Sequence, residues 1–102
     1  MNQKEFIENI ENSYKKGVEI IRKKNADYAV DSNPWKNFEM ASLVGVSVKR
    51  AILVRISDKL ARISNLIDKE AAVKDETIED TLLDLINYAA ILKAKIDDEK
   101  PS

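Results

Sequence analysis

The sequence predicts an all-α fold: an antiparallel helical bundle of three long helices plus a short helix, assembling as an oligomer. Three observations carry this. Gly and Pro number only 2 each among 102 residues, too few for turn-rich β structure. Apolar residues recur at steps of three and four in three separate stretches, the period of a helix with one buried face. The length makes a single domain, residues 1–98 with a frayed tail at 99–102, whose modest core contact between copies would enlarge.

The first stretch runs from Gln3 to Lys24, where Phe6, Ile7, Ile10, Tyr14, Val18 and Ile21 form the stripe and the charged residues a solvated face. Gly17 costs about 1 kcal/mol against Ala in such an interior, either for close approach by a neighbouring helix or as a tolerated blemish. From Asn25 to Phe38 the period stops, and a long loop leads into a short helix starting around Pro34 with Asn33 as its cap. Loops of this length in small domains are often functional. Two roles stand side by side for its residues: Trp35 and Phe38 plug the end of a bundle, or Tyr28, Asn33, Trp35, Lys36 and Asn37 touch a planar ligand.

After a turn at Val44-Gly45-Val46, Ser47 caps a second long helix that reaches about Lys69. Its core stripe is Val48, Ile52, Ile56, Leu60, Ile63 and Ile67. Beside that stripe lie Arg55, Asp58, Lys59, Arg62 and Asn65, which either form an inter-helix ladder or snorkel to water. A short polar connection, Glu70 to Lys74, suits antiparallel neighbours, and Asp75 then caps a third long helix to about Asp97. Here Ile78, Leu82, Leu85, Ala89, Leu92 and Ile96 form the core side and Glu76, Asp80, Asp84 and Asn87 the opposite one. Carboxylates four apart repel by roughly 0.2–0.5 kcal/mol, and no Lys or Arg follows Asp80 or Asp84 at the spacing that would relieve them. Leu83, Ala90 and Ile91 flank this acidic side, so it faces a partner subunit or a ligand cavity rather than bulk water.

The composition excludes several chemistries. Without Cys or His there are no disulfides, thiolate nucleophiles, ordinary zinc sites or imidazole acid–base pairs, so any metal sits among oxygens, as Mg²⁺ does. A formal net charge of −1 argues against general nucleic-acid binding. No long apolar run or signal peptide opens the chain, which predicts a cytoplasmic protein with no membrane partner. Asp58, Asp80 and Asp84 could hold one Mg²⁺ that in turn holds phosphate, while Arg55, Lys59 and Arg62, with Lys36, could clamp phosphate directly.

The runs Lys24-Asn25-Ala26-Asp27-Tyr28, Asn33-Pro34-Trp35-Lys36-Asn37-Phe38, Leu53 to Leu66 and Glu79 to Tyr88 resemble the phage and bacterial nucleotide modification associated domain family, over roughly residues 24–93. That family is in turn similar to the all-α nucleoside triphosphate pyrophosphohydrolases, the MazG and dimeric dUTPase group. The resemblance implies helical bundles that oligomerise and hydrolyse nucleoside triphosphates with Mg²⁺ held by Glu and Asp from two helices. Asp80 and Asp84 stand where that group carries its final acidic motif. The preceding helix departs from it, with Arg55, Asp58, Lys59 and Arg62 in place of an acidic run. The resemblance therefore supports nucleotide binding better than hydrolysis. Three functions follow as expectations: nucleotide binding with Mg²⁺-dependent pyrophosphohydrolysis, sequestration of a signalling nucleotide by a non-catalytic phage protein in the host cytoplasm, and a structural oligomer without ligand.

Overall fold

The computed structural model describes residues 1–28, 33–69 and 77–101, apart from the side chains of 26–28, and all the regular elements among them are helices. Two compact units compose the chain, Met1–Ser32 and Asn33–Ser102. Among the described residues no helix is long and apolar enough to cross a membrane.

The first unit is one helix, α1, Gln3–Tyr28. Asn2 starts it by accepting a hydrogen bond at its Oδ1 from the Glu5 backbone N–H at 2.9 Å, the ordinary use of Asn as a cap. The helix continues a turn beyond the expected end at Lys24, so Asn25 to Tyr28 are helical rather than loop. Neither Gly nor Pro stands between Gly17 and Pro34 to stop it, and each added residue gains a backbone hydrogen bond at little further cost. The Tyr28 side chain lies outside the described residues. The apolar stripe is as the period predicts, and Phe6, Ile7, Ile10, Tyr14 and Val18 along it are exposed. Charged pairs such as Lys4–Glu8 and Arg22–Glu19 decorate the polar side, each worth a few tenths of a kcal/mol.

The second unit holds a short helix α2, Lys36–Glu39, a 3-10 helix Met40–Val44, and the long helices α3, Val48–Leu66, and α4, Ile78–Asp98. Asn33 organises the entry to α2: its Oδ1 accepts from the Trp35 N–H at 3.0 Å and its Nδ2 donates to Glu39 Oε1 at 2.9 Å. The regular helix thus begins two residues after Pro34. Gly45, at φ 78°, ends the 3-10 helix in the left-handed region, where a side chain would be strained. Ser47 then caps α3 as expected, its Oγ accepting from the Arg50 N–H at 3.2 Å. The cap of α4 is Thr77, whose Oγ1 accepts from the Asp80 N–H at 3.1 Å, rather than Asp75. Asp75, Glu76 and the connection from Glu70 to Lys74 lie outside the described residues.

Two ion pairs fix the packing of the long helices. Lys49 near the start of α3 meets Glu99 at the end of α4 at 2.9 Å, and Lys59 in mid-α3 meets Asp84 in early α4 at 3.1 Å. The order reverses between the helices, so they run antiparallel. Among the described residues Ile52 and Leu83 are the buried apolar side chains, joined by Thr81 and Asn87.

The inward faces agree in part with those the apolar pattern predicted. On α3, Val48, Ile52, Ile56 and Ile63 point inward as expected, but Leu60 and Ile67 are exposed, and Lys59 and Leu66 are more covered than either. On α4, Ile78, Leu85 and Leu92 are partly covered as expected, whereas Leu82, Ala89 and Ile96 are exposed; Thr81, Leu83 and Asn87 are buried, and Asp84, Tyr88, Ile91 and Lys95 are partly covered. Apolar residues surround much of α4, so hydrophobicity alone left its orientation open. Pairing of Asp84 with Lys59 lets a charged side of α4 face α3, and long cationic stems can lie against a helix while their heads find a carboxylate or a ring.

Candidate functional site

Arg55 stands three and four positions before Asp58 and Lys59, and these stand four and three before Arg62, spacings that a helix turns into one face. In the structure these residues and Ala61 form one wall of a groove of about 340 Å³, closed on the α4 side by Tyr88. The charge of this lining is three cations to one carboxylate, an arrangement suited to an anion and poor for a cation. Among the described residues neither Arg55 nor Asp58 forms an ion pair, so the ladder of Arg55–Asp58 and Asp58–Arg62 contacts along α3 is not formed.

Lys59 is the pivot. Its side chain is only 15% exposed, and its Nζ lies 3.1 Å from Asp84 Oδ2, the latter 31% exposed. A Lys ammonium has three donors, so pairing with one carboxylate leaves capacity for a ligand oxygen. Arg55 and Arg62 bring planar guanidinium groups that match phosphate bidentately.

The aromatic side of the site differs from the sequence expectation. Trp35 is engaged by Lys95, whose Nζ lies 5.2 Å from the ring centroid, and it does not line the groove. Asn33 spends its side chain on the entry to α2, and Lys36 and Asn37 are exposed on that helix, away from the lining set. The ring in the groove is Tyr88, which meets Phe38 edge to face at 6.4 Å and 81°. Four residues separate Tyr88 from Asp84, so helical spacing places it on the carboxylate side of α4; that spacing was the available signal for it.

Beyond the groove, the far end of the hairpin is bound by charge. Donation from the Lys49 ammonium holds the Glu99 carboxyl below the usual carboxylate range, with Lys95 adding at 3.8 Å. Lys93 and then Lys100 do the same for Asp97.

Asp58, Asp80 and Asp84 were the expected Mg²⁺ ligands. Asp58 stands among the cations of the groove, Asp84 faces Lys59, and Asp80 is exposed in the first turn of α4. Among the described residues no group of three or more acidic side chains is placed to share an ion. The donor set within the groove does not fit a divalent cation, because its lone lining carboxylate stands beside three positive side chains.

No curated protein matches the chain, and neither does any solved structure. A family model does match, over residues 24–96, which span α2, α3 and nearly all of α4 and so contain every residue of the groove. With more than two thirds of its length covered by that match, the chain belongs to the family described as nucleotide modification associated domain 1.

Proposed function

We propose that this protein binds a nucleotide by its phosphates, gripped by Arg55, Lys59 and Arg62 in the groove between α3 and α4. The observation that carries the reading is the gathering of those three cations and one aromatic ring in a single partly open cavity. Each charge-assisted hydrogen bond to phosphate contributes about 1.5–3 kcal/mol, so three at the upper end of that range approach the roughly 8 kcal/mol of micromolar binding. Asp84 serves here as the orienting partner of Lys59 rather than as a metal ligand. The family's association with nucleotide modification agrees with a nucleotide-type ligand.

Binding without hydrolysis is the version favoured by the cation-rich lining, and sequestration of a nucleotide, as by a phage protein in a host cytoplasm, is its natural use. The likeness to the all-α pyrophosphohydrolases suggests Mg²⁺-dependent cleavage instead, but no step through Mg²⁺ is derived from these donors. Oligomerisation through the exposed apolar rows of α1 and of Leu82, Ala89 and Ile96 is part of the proposal, since such rows resemble half-built interfaces. Calorimetric titration with nucleoside di- and triphosphates, with Mg²⁺ and with EDTA, tests it. Saturable binding in EDTA is expected, and silence across the panel overturns the reading; release of pyrophosphate with Mg²⁺ would establish the hydrolase instead.

A further inference from the structure

The groove contains one feature that phosphate capture alone does not use. Tyr88 closes it from α4, half-buried, with its ring set by the edge-to-face contact with Phe38 of α2. An aromatic side chain has two rotatable angles, and one already held by a neighbouring ring loses little freedom when a second flat surface covers it. Tyr88 also stands four positions, about 6 Å of rise, from Asp84, the residue that pairs with Lys59. The ring and the three cations therefore line one groove.

We infer that Tyr88 is the base-stacking platform of this site, with Phe38 as its positioning residue, so that the ligand carries a base and is not a free polyphosphate. The inference rests on the phosphate-binding reading of the same groove. A volume of about 340 Å³ lies at the lower end of small-molecule sites and has the size of one base with its near phosphates. Stacking tolerates any base because every base has a π face, so the platform selects for a base without choosing among bases. Trp35, committed to Lys95, has no part in this contact.

The test compares ligands that share a diphosphate and differ in the base. The full chain is titrated calorimetrically with ADP, UDP and inorganic pyrophosphate, as wild type and as Tyr88→Leu, Tyr88→Phe, Phe38→Leu and Arg62→Gln. The wild type is expected to prefer ADP and UDP over pyrophosphate by about tenfold, the typical worth of one stacked base. Tyr88→Leu removes that preference while pyrophosphate affinity stays within about twofold, Tyr88→Phe keeps it, and Phe38→Leu reduces it part-way. Equal wild-type affinity for ADP and pyrophosphate overturns the platform, as does a Tyr88→Leu variant that binds both as the wild type does while Arg62→Gln weakens both. Those outcomes leave phosphate capture standing. Absence of binding by all three probes to the wild type overturns phosphate capture, and the platform with it. Far-ultraviolet circular dichroism of each variant separates loss of contact from loss of fold, and the retained ring of Tyr88→Phe keeps the comparison decisive if the leucine variant unfolds.

Discussion

Replacing Asp84 by Asn separates capture by cations from capture through a metal, because the two give opposite signs. The carboxylate lies 3.1 Å from the Lys59 ammonium. A phosphate oxygen on the other side of that ammonium would sit about 6 Å from Asp84, given two hydrogen-bond contacts of about 3 Å in line. Unit charges at that distance repel by roughly 0.7 kcal/mol in bulk water and by about 3 kcal/mol at an effective dielectric of 20. Asn keeps a side-chain oxygen that accepts from Lys59, so the ammonium stays oriented while the negative charge goes; the groove is partly open, so a value near 1 kcal/mol is expected, and Asp84→Asn should tighten binding about fivefold in EDTA. The same change removes a partly exposed ion pair, at a cost of about 1 kcal/mol, which lowers the melting temperature of a small two-state domain by about 4–8 °C. Calorimetric titration with ADP gives the first quantity and thermal circular dichroism the second. A metal-bridged site would lose a ligand and bind more weakly, with the deficit growing as Mg²⁺ is added. Weaker binding by Asp84→Asn in EDTA, in a variant that remains folded, refutes the cation reading.

Other consequences are open to measurement. Arg55→Gln and Arg62→Gln should each weaken nucleotide binding by about tenfold, corresponding to one lost charge-assisted hydrogen bond of about 1.5 kcal/mol, with no change in the helical spectrum. Thr77→Ala removes the acceptor for the Asp80 N–H and should cost about 1 kcal/mol in denaturant unfolding. Gly45→Ala puts a side chain at φ 78° and should cost about 1–2 kcal/mol although no atom lies within 4 Å to clash with it. Lys49 holds the Glu99 carboxyl below the usual carboxylate range in the folded chain, so the unfolded chain takes up the proton first as pH falls. The stability this group confers is full above about pH 4.5 and is lost as the pH drops through the lowered value; Glu99→Gln should flatten that part of the acid unfolding curve.

What the sequence made legible follows the range of the forces involved. Ser47 could be read as a cap because a hydroxyl before an apolar period acts on its own first turn, and the structure has that bond. The cationic face of α3 was equally readable, since its spacing is a property of one helix, and the groove gathers Arg55, Lys59 and Arg62 together with Asp58. The orientation of α4 was not readable in this way. Leu82, Ala89 and Ile96 compete with Leu83, Tyr88 and Ile91 for the inward position, and the contest is decided across helices by the Lys59–Asp84 pair. The contact made by Trp35 was not readable for a similar reason, because Lys95 lies 60 positions later and no local rule links them. The end of α1 shows the converse: lost apolar period was read as lost helix, whereas the backbone needed only the absence of a breaker.

Among its described residues the second unit buries the apolar side chains of Ile52 and Leu83, while Lys49–Glu99, Lys59–Asp84 and the Lys95–Trp35 contact join its elements. Ions in solution therefore act on this molecule twice. They compete with a phosphate for Arg55, Lys59 and Arg62, and they also weaken the exposed charge contacts that hold the walls of the groove in register. A plot of affinity against salt concentration would contain a folding contribution as well as a binding one, and its slope would overstate the number of phosphate contacts. The two separate when each affinity is paired with a melting curve in the same buffer, so that the strength of the grip is measured apart from the rigidity of the hand.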